Sequence, residues 1–132
     1  MVGIVIVSHS RKLAEGVKEL LDQMVKGNVK VELVGGVTAE PGTLGMSPMS
    51  VKEAIVKVMD SEGVLIIGDM GSAILSSKTA IKMLAPEMKE KVVIADAPLV
   101  EGSFAAAVEI SAGGGLEDAK RAAEESKSLR KI

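Results

Sequence analysis

The chain holds a single histidine, His9, flanked by Ser8 and Ser10 directly after an apolar run at 2–7 (VGIVIV). A neutral imidazole nitrogen is a good nucleophile near neutral pH and can carry a transferred group covalently. A phosphate on that ring would lie near the start of the next helix, whose free N–H groups and positive dipole end favour an anion. Ser8 and Ser10 would add hydroxyl donors. The plainer alternative is that His9 only caps or packs a turn.

A second polar cluster, Asp69-Met70-Gly71-Ser72, follows another apolar run at 63–68 (GVLIIG). A carboxylate that accepts the N–H of one ring nitrogen fixes the tautomer and leaves the other nitrogen free to attack. Asp69 would serve His9 in this way if the two runs are neighbouring strands. The competing use of Asp69 is as the N-cap of the following helix, and the two are compatible. Gly71, Ser72 and the stretch Gly42-Thr43-Leu44-Gly45-Met46-Ser47 offer backbone N–H groups around an anion, although glycine loops are commonly just turns.

Other chemistries lack their residues. There is no cysteine, hence no disulfide, thiol nucleophile or thiolate zinc site, which fits a reducing compartment. Asp96 and Glu101 stand without a second histidine or clustered carboxylates, so no metal site and no bound cofactor are expected. The sequence contains no G-x-x-x-x-G-K-[ST] loop, no G-x-G-x-x-G after the first strand and no G-x-S-x-G elbow. Trp and Tyr are absent and Phe104 is the one aromatic residue, which leaves no platform for stacking nucleic-acid bases. The net charge of −2, with Lys and Arg dispersed, gives no basic tract for nucleic acid or an anionic membrane. The apolar runs are too short for a membrane span or a signal peptide. A cytoplasmic location is therefore expected.

The elements that must position these residues can be read from the periodicity. The 132 residues, 47% of them apolar, suit one domain with a substantial core. Strands are expected at 2–7, 29–34 (VKVELV, with a wetter side and hence an edge), 63–68 and 91–98 (KVVIADAP). Helices are expected at 11–25, near 49–60, at about 72–84, 103–112 and 116–127. For the first, Leu13, Val17, Leu20, Leu21 and Met24 form the apolar stripe, and Gly27-Asn28 ends it. A loop spans roughly 35–48. Strands alternating with helices imply right-handed crossovers, so the fold class is α/β, a three-layer, mainly parallel open sheet with helices on both faces. Ligands in such sheets bind beyond the carboxyl ends of the strands, where the strand order reverses. His9, the 35–48 loop, Asp69 to Ser72 and Asp96 to Pro98 all fall on that rim. Met46, Met49 and Met70 lie near it, more often core fillers than function but candidates for a docking surface.

Three strings, GIVIVSHS at 3–10, GDMGSAILSSKTA at 68–80 and ADAPLVEGSFAAAV at 95–108, resemble the phosphotransfer subunits of phosphoenolpyruvate-dependent dihydroxyacetone kinases. Those subunits belong to the mannose-type enzyme IIA superfamily. The resemblance covers about residues 1–125 and implies that His9 is phosphorylated and Asp69 orients it. It further implies phosphate arriving from the phosphocarrier protein HPr and passing to ADP in a DhaL subunit, with DhaK holding dihydroxyacetone. A homodimer is implied as well. Gly71 and Ser72 match the family's D-M-G-S-A motif. Where the family has a glycine-threonine pair before the second helix, this chain has Gly45-Met46, and Gly45 alone is carried over as a site residue. Some relatives fuse HPr-like and enzyme I-like segments behind this domain; with 132 residues, phosphate is expected from a separate protein. IIA domains of sugar transporters, which usually carry His-Gly after the first strand, and a phosphorylation-switched regulatory module are the competing readings.

Overall fold

The computed structural model describes residues 1–36 and 42–132, so positions 37–41 of the expected 35–48 loop lie outside the described residues. Four strands, β1 (Gly3–Val7), β2 (Val31–Val34), β3 (Val64–Gly68) and β4 (Val92–Ile94), form one sheet in the order β2-β1-β3-β4, and every pairing is parallel. Among the described residues six α-helices accompany them: α1 (Arg11–Val25), α2 (Pro48–Val58), α3 (Gly71–Lys82), α4 (Pro86–Lys89), α5 (Leu99–Ser111) and α6 (Leu116–Glu125). The expected three-layer α/β class holds, and β2 is an edge strand as its wetter pattern indicated.

The strands carry apolar side chains toward both faces, and each face has its own core. Ile4, Ile6, Leu65 and Ile67 point toward α1, α5 and α6, where they meet Val17, Leu21, Ala107 and Ile110. Val5, Val7, Val64 and Ile66 point the other way, onto Val51, Ile55 and Ala80 of α2 and α3. Continuous burial of β1 and β3 explains why they read as unbroken apolar runs. Among the described residues no helix is long and apolar enough to cross a membrane.

Several boundaries differ from the sequence reading. The buried stripe of α1 is Ala14, Val17, Leu21 and Val25; Leu13, Leu20 and Met24 are exposed. α4, a single turn opened by Pro86, carries no periodicity to detect. β4 stops at Ile94, and Asp96 belongs to a loop. α5 begins at Leu99, four positions before the expected 103, directly after Pro98. Gly102 lies inside it because the helix approaches Ala97 closely: a Cβ there would stand 2.8 Å from that residue's own Cβ.

The topology creates one special point. From β1 the chain moves to β2 on one side, then crosses to β3 on the other, and the helices that follow β1 and β3 pack on opposite faces of the sheet. A crevice at this switch point is where parallel sheets place their ligands. The register pairs Val7 with Gly68, and the Asp69 N–H donates to the Val7 carbonyl at 3.0 Å. Ser8-His9 and Asp69 therefore leave the sheet side by side.

Candidate functional site

His9 and Asp69 meet at that point because the two strands end in register. The His9 Nδ1–H donates to Asp69 Oδ1 at 2.9 Å; a carboxylate only accepts, so the proton sits on Nδ1 and Nε2 keeps its lone pair. Asp69 Oδ2 accepts from the His9 backbone N–H and from the Ser8 hydroxyl, each at 3.0 Å. The carboxylate is nearly enclosed at 9% exposure, whereas the His9 side chain is 23% exposed. One nitrogen is locked and the other faces outward.

The outward nitrogen, Nε2, lies in hydrogen-bond contact with the Ser72 hydroxyl, on the exposed first turn of α3. This helix has Met70 at its N-cap and no side-chain cap. Neither the Gly71 nor the Ser72 N–H meets a backbone acceptor among the described residues. Asp69 therefore does not cap α3; its oxygens are committed to His9 and Ser8. The helix start beside the ring belongs to α3, not to the 11–25 helix. At α1 the Ser10 hydroxyl accepts the Leu13 N–H at 3.2 Å, and Nε2 makes its contact at α3 instead. The expectation put the helix start beside the ring at α1; the ring, held through Nδ1 by Asp69, turns Nε2 to the first turn of α3.

Ser8 and Ser10 are also placed differently from the hydroxyl donors expected. Ser8 is fully buried; its Oγ accepts the Ser10 N–H at 3.0 Å and donates to Asp69. It holds the carboxylate rather than reaching the open side of the ring. The Gly45 N–H donates to the His9 carbonyl at 2.8 Å. It tethers the loop before α2 to the histidine, and its own N–H is thereby used. Gly45 sits at φ +129, a conformation L side chains rarely adopt. A Cβ at Gly71 would meet nothing within 4 Å.

Of the methionines suggested as a docking surface, Met49 and Met70 are exposed, while Met46 packs against the α2/α3 core. Leu44 and Leu75, not singled out in the sequence, are exposed as well. Leu44 lies in the loop before α2, where no period applies, and Leu75 stands on the exposed side of α3. Asp96 turns away to an ion pair with Lys127 at 3.2 Å. Among the described residues no three His, Asp or Glu side chains gather as a metal site.

The Asp69 carboxyl is held below the usual carboxylate range. Burial, the largest single influence, pushes it upward, but hydrogen bonds from the His9 backbone N–H, the His9 ring and the Ser8 hydroxyl together outweigh burial. A depressed folded value means stability that is fully present above the unfolded carboxyl value, about 3.9. It is lost as pH falls through the lower folded value. Thermal unfolding followed from pH 7 downward should show the wild type losing stability below about pH 4 more steeply than Asp69→Asn. Parallel curves would remove Asp69 from the account of acid stability.

The geometry now has a context among known proteins. Residues 3–120 match the family described as PTS system fructose IIA component. The chain is 44% identical over 118 residues to the phosphoryl donor subunit DhaM of the PEP-dependent dihydroxyacetone kinase of Escherichia coli strain K12. That match covers 89% of this chain but 25% of the relative, so the chain spans about a quarter of that protein's length. It is also 44% identical over 109 residues to the phosphoryl donor subunit DhaM of dihydroxyacetone kinase 2 of Listeria innocua, covering 83% of this chain and 86% of that protein. The crystal structure of the phosphotransferase system component EIIA from Streptococcus agalactiae superposes with a TM-score of 0.70 at 18% identity. It covers 98% of this chain and 96% of that one, a likeness of fold. With the histidine and aspartate side by side at the switch point of this fold, the chain belongs to the PTS system fructose IIA component family and, within it, to the DhaM phosphoryl donor subunits.

Proposed function

We propose that the chain is a phosphohistidine carrier: Nε2 of His9 takes a phosphoryl group from phosphorylated HPr and passes it to ADP held in a DhaL subunit. The reading rests above all on one observation, an imidazole whose Nδ1 is held by Asp69 at 2.9 Å while Nε2 faces the open rim. In the first step the Nε2–P bond forms as the donor's N–P bond breaks in line. The imidazolium that results keeps its proton on Nδ1, donated in a hydrogen bond to Asp69, and the carboxylate offsets its charge. The phosphoryl oxygens displace the Ser72 hydroxyl from the lone pair, then accept hydrogen bonds from it and from the N–H groups of Gly71 and Ser72. In the second step a β-phosphate oxygen of ADP attacks phosphorus and Nε2 leaves. Nucleotide and any accompanying magnesium belong to the partner, as does the dihydroxyacetone bound by DhaK.

Positioning and electrostatics carry such transfers, so both partners must bring phosphorus to within bonding reach of Nε2. Met49, Met70, Leu44 and Leu75 supply an exposed apolar collar for a brief contact of modest area. The test mixes the phosphorylated chain with two acceptors. Phosphate passing to ADP-loaded DhaL supports the proposal; phosphate passing only to a sugar-transporter IIB protein would transfer the chain to the sugar branch. The fructose IIA description of the matching family is what keeps that second reading in play.

The implied homodimer has support in α5. Val100, Phe104 and Val108 form an exposed ridge at a spacing of four, with Leu129 beside it, and these residues line a groove of about 430 Å³. Contiguous exposed apolar side chains of this kind mark interfaces. If two copies pair through this ridge, Phe104→Glu, at a position 38% exposed in the single chain, weakens dimerisation at least about tenfold. Sedimentation equilibrium reads the change. An unaltered dimer would place the interface elsewhere.

A further inference from the structure

The contacts around His9 have a second chemical meaning that phosphate transfer does not use. Asp69 Oδ1 holds Nδ1 at 2.9 Å, and Nε2 on the other side of the ring contacts the Ser72 hydroxyl. This is the connectivity of a Ser-His-Asp triad, which is recognised by geometry and roles and not by sequence order. The usual sequence signal, a G-x-S-x-G elbow, is absent here. Instead the serine stands in the first turn of a helix, next to N–H groups of Gly71 and Ser72 that meet no backbone acceptor among the described residues. Beside it a cleft of about 450 Å³ opens between α3 and the end of β4, with Met70, Ile74, Ile94 and Ala97 among its walls.

We propose that the unphosphorylated chain is a weak esterase toward short acyl esters, with Ser72 as nucleophile and His9 as its base. Nε2 takes the Ser72 hydroxyl proton as Oγ bonds to the ester carbonyl carbon. The carbonyl oxygen gains negative charge, which the Gly71 and Ser72 N–H groups receive. Collapse breaks the bond to the alkoxy oxygen, and Nε2 returns the proton to the leaving alcohol. Water then attacks acyl-Ser72, loses a proton to Nε2 and releases the carboxylic acid, while Oγ recovers that proton. Asp69 keeps the ring in the required tautomer throughout and stays ionised. The acyl chain enters the cleft along Met70, Ile74, Ile94 and Ala97, with the charged Asp69, Lys78 and Asp96 also on its lining, which suits short neutral groups such as acetyl and butyryl. Ser72 is exposed, so water is poorly excluded and the rate should be far below that of a dedicated hydrolase. This activity is independent of the phosphate relay, because it needs neither HPr nor a kinase subunit.

The test uses the purified, unphosphorylated chain with 4-nitrophenyl acetate and, separately, a fluorophosphonate. The expected results are hydrolysis at least about tenfold faster than in Ser72→Ala and a covalent fluorophosphonate adduct mapped by peptide mass to Ser72. The adduct should disappear in His9→Gln. Ser72 is a surface residue, so its alanine variant should fold, and circular dichroism checks this. An equal rate in Ser72→Ala would mean that the imidazole attacks the ester directly, which overturns the proposal. Labelling of another residue, or none, does the same.

Discussion

With alanine at position 9, the chain takes up no phosphoryl group from phosphoenolpyruvate, enzyme I and HPr, and dihydroxyacetone phosphorylation in the reconstituted system falls at least about 1,000-fold. A covalent carrier has a single attacking atom, and the sequence holds no second histidine. Neither serine next to it can take over. The Ser8 hydroxyl is buried against Asp69, and that of Ser10 caps α1. Intact mass reads uptake, and a coupled assay reads flux. His9→Asp separates a carrier from a switch. A carrier fails with both substitutions, whereas a regulatory module responds in opposite directions to the neutral and the charged replacement. Retained uptake by His9→Ala would place the phosphate on another residue and end the proposed mechanism.

Asp69→Asn should slow phosphate uptake by roughly 100- to 10,000-fold, the scale seen when an orienting carboxylate is exchanged for its amide. The cause is tautomeric. The amide nitrogen donates to Nδ1, which forces the ring proton onto Nε2 and removes the lone pair that must attack. The variant also loses the charge that offsets the phosphorylated imidazolium. Asp69 has a structural part as well, since its Oδ2 accepts from Ser8 and from the His9 backbone at 3.0 Å each. A lowered rate alone would not separate orientation from misfolding. Nitrogen-15 shifts of the ring provide the separation: Nδ1 protonated in the wild type, Nε2 protonated in a folded Asp69→Asn. A variant that is folded, correctly tautomeric and still slow would assign Asp69 a purely electrostatic part. A variant of wild-type rate would remove it from the mechanism.

The paired placement of His9 and Asp69 was legible in sequence because buried parallel strands announce themselves as apolar runs. The residues just past their ends must then share a rim. What sequence could not supply was the direction of each polar side chain. The helix start beside a strand end belongs to whichever element leans over it. Here β1 is followed by a serine-capped α1 and β3 by an α3 without a side-chain cap, and the ring, held by Asp69, turns Nε2 to α3. Ser8 reads as a rim hydroxyl in sequence but alternates inward in space. The Gly45 contact to the His9 carbonyl joins residues far apart in the chain, and no local pattern encodes it. The single turn at Pro86–Lys89 is too brief for a period to emerge, and the fourth strand, expected at 91–98, was overextended because β4 stops at Ile94. The stripe of α1 was misplaced by a partial turn because Leu13, Leu20 and Met24 present apolar side chains to solvent, while the small Ala14 takes the buried slot.

The measurement that reaches the centre of the account is the site of phosphorylation on the ring. The chain is labelled with nitrogen-15 histidine, phosphorylated through HPr, and the phosphorus–nitrogen coupling recorded. The geometry predicts coupling to Nε2, with Nδ1 still protonated and bonded to Asp69. Coupling to Nδ1 would contradict it, because the Asp69 bond at 2.9 Å would then have to break before the nucleophile could form.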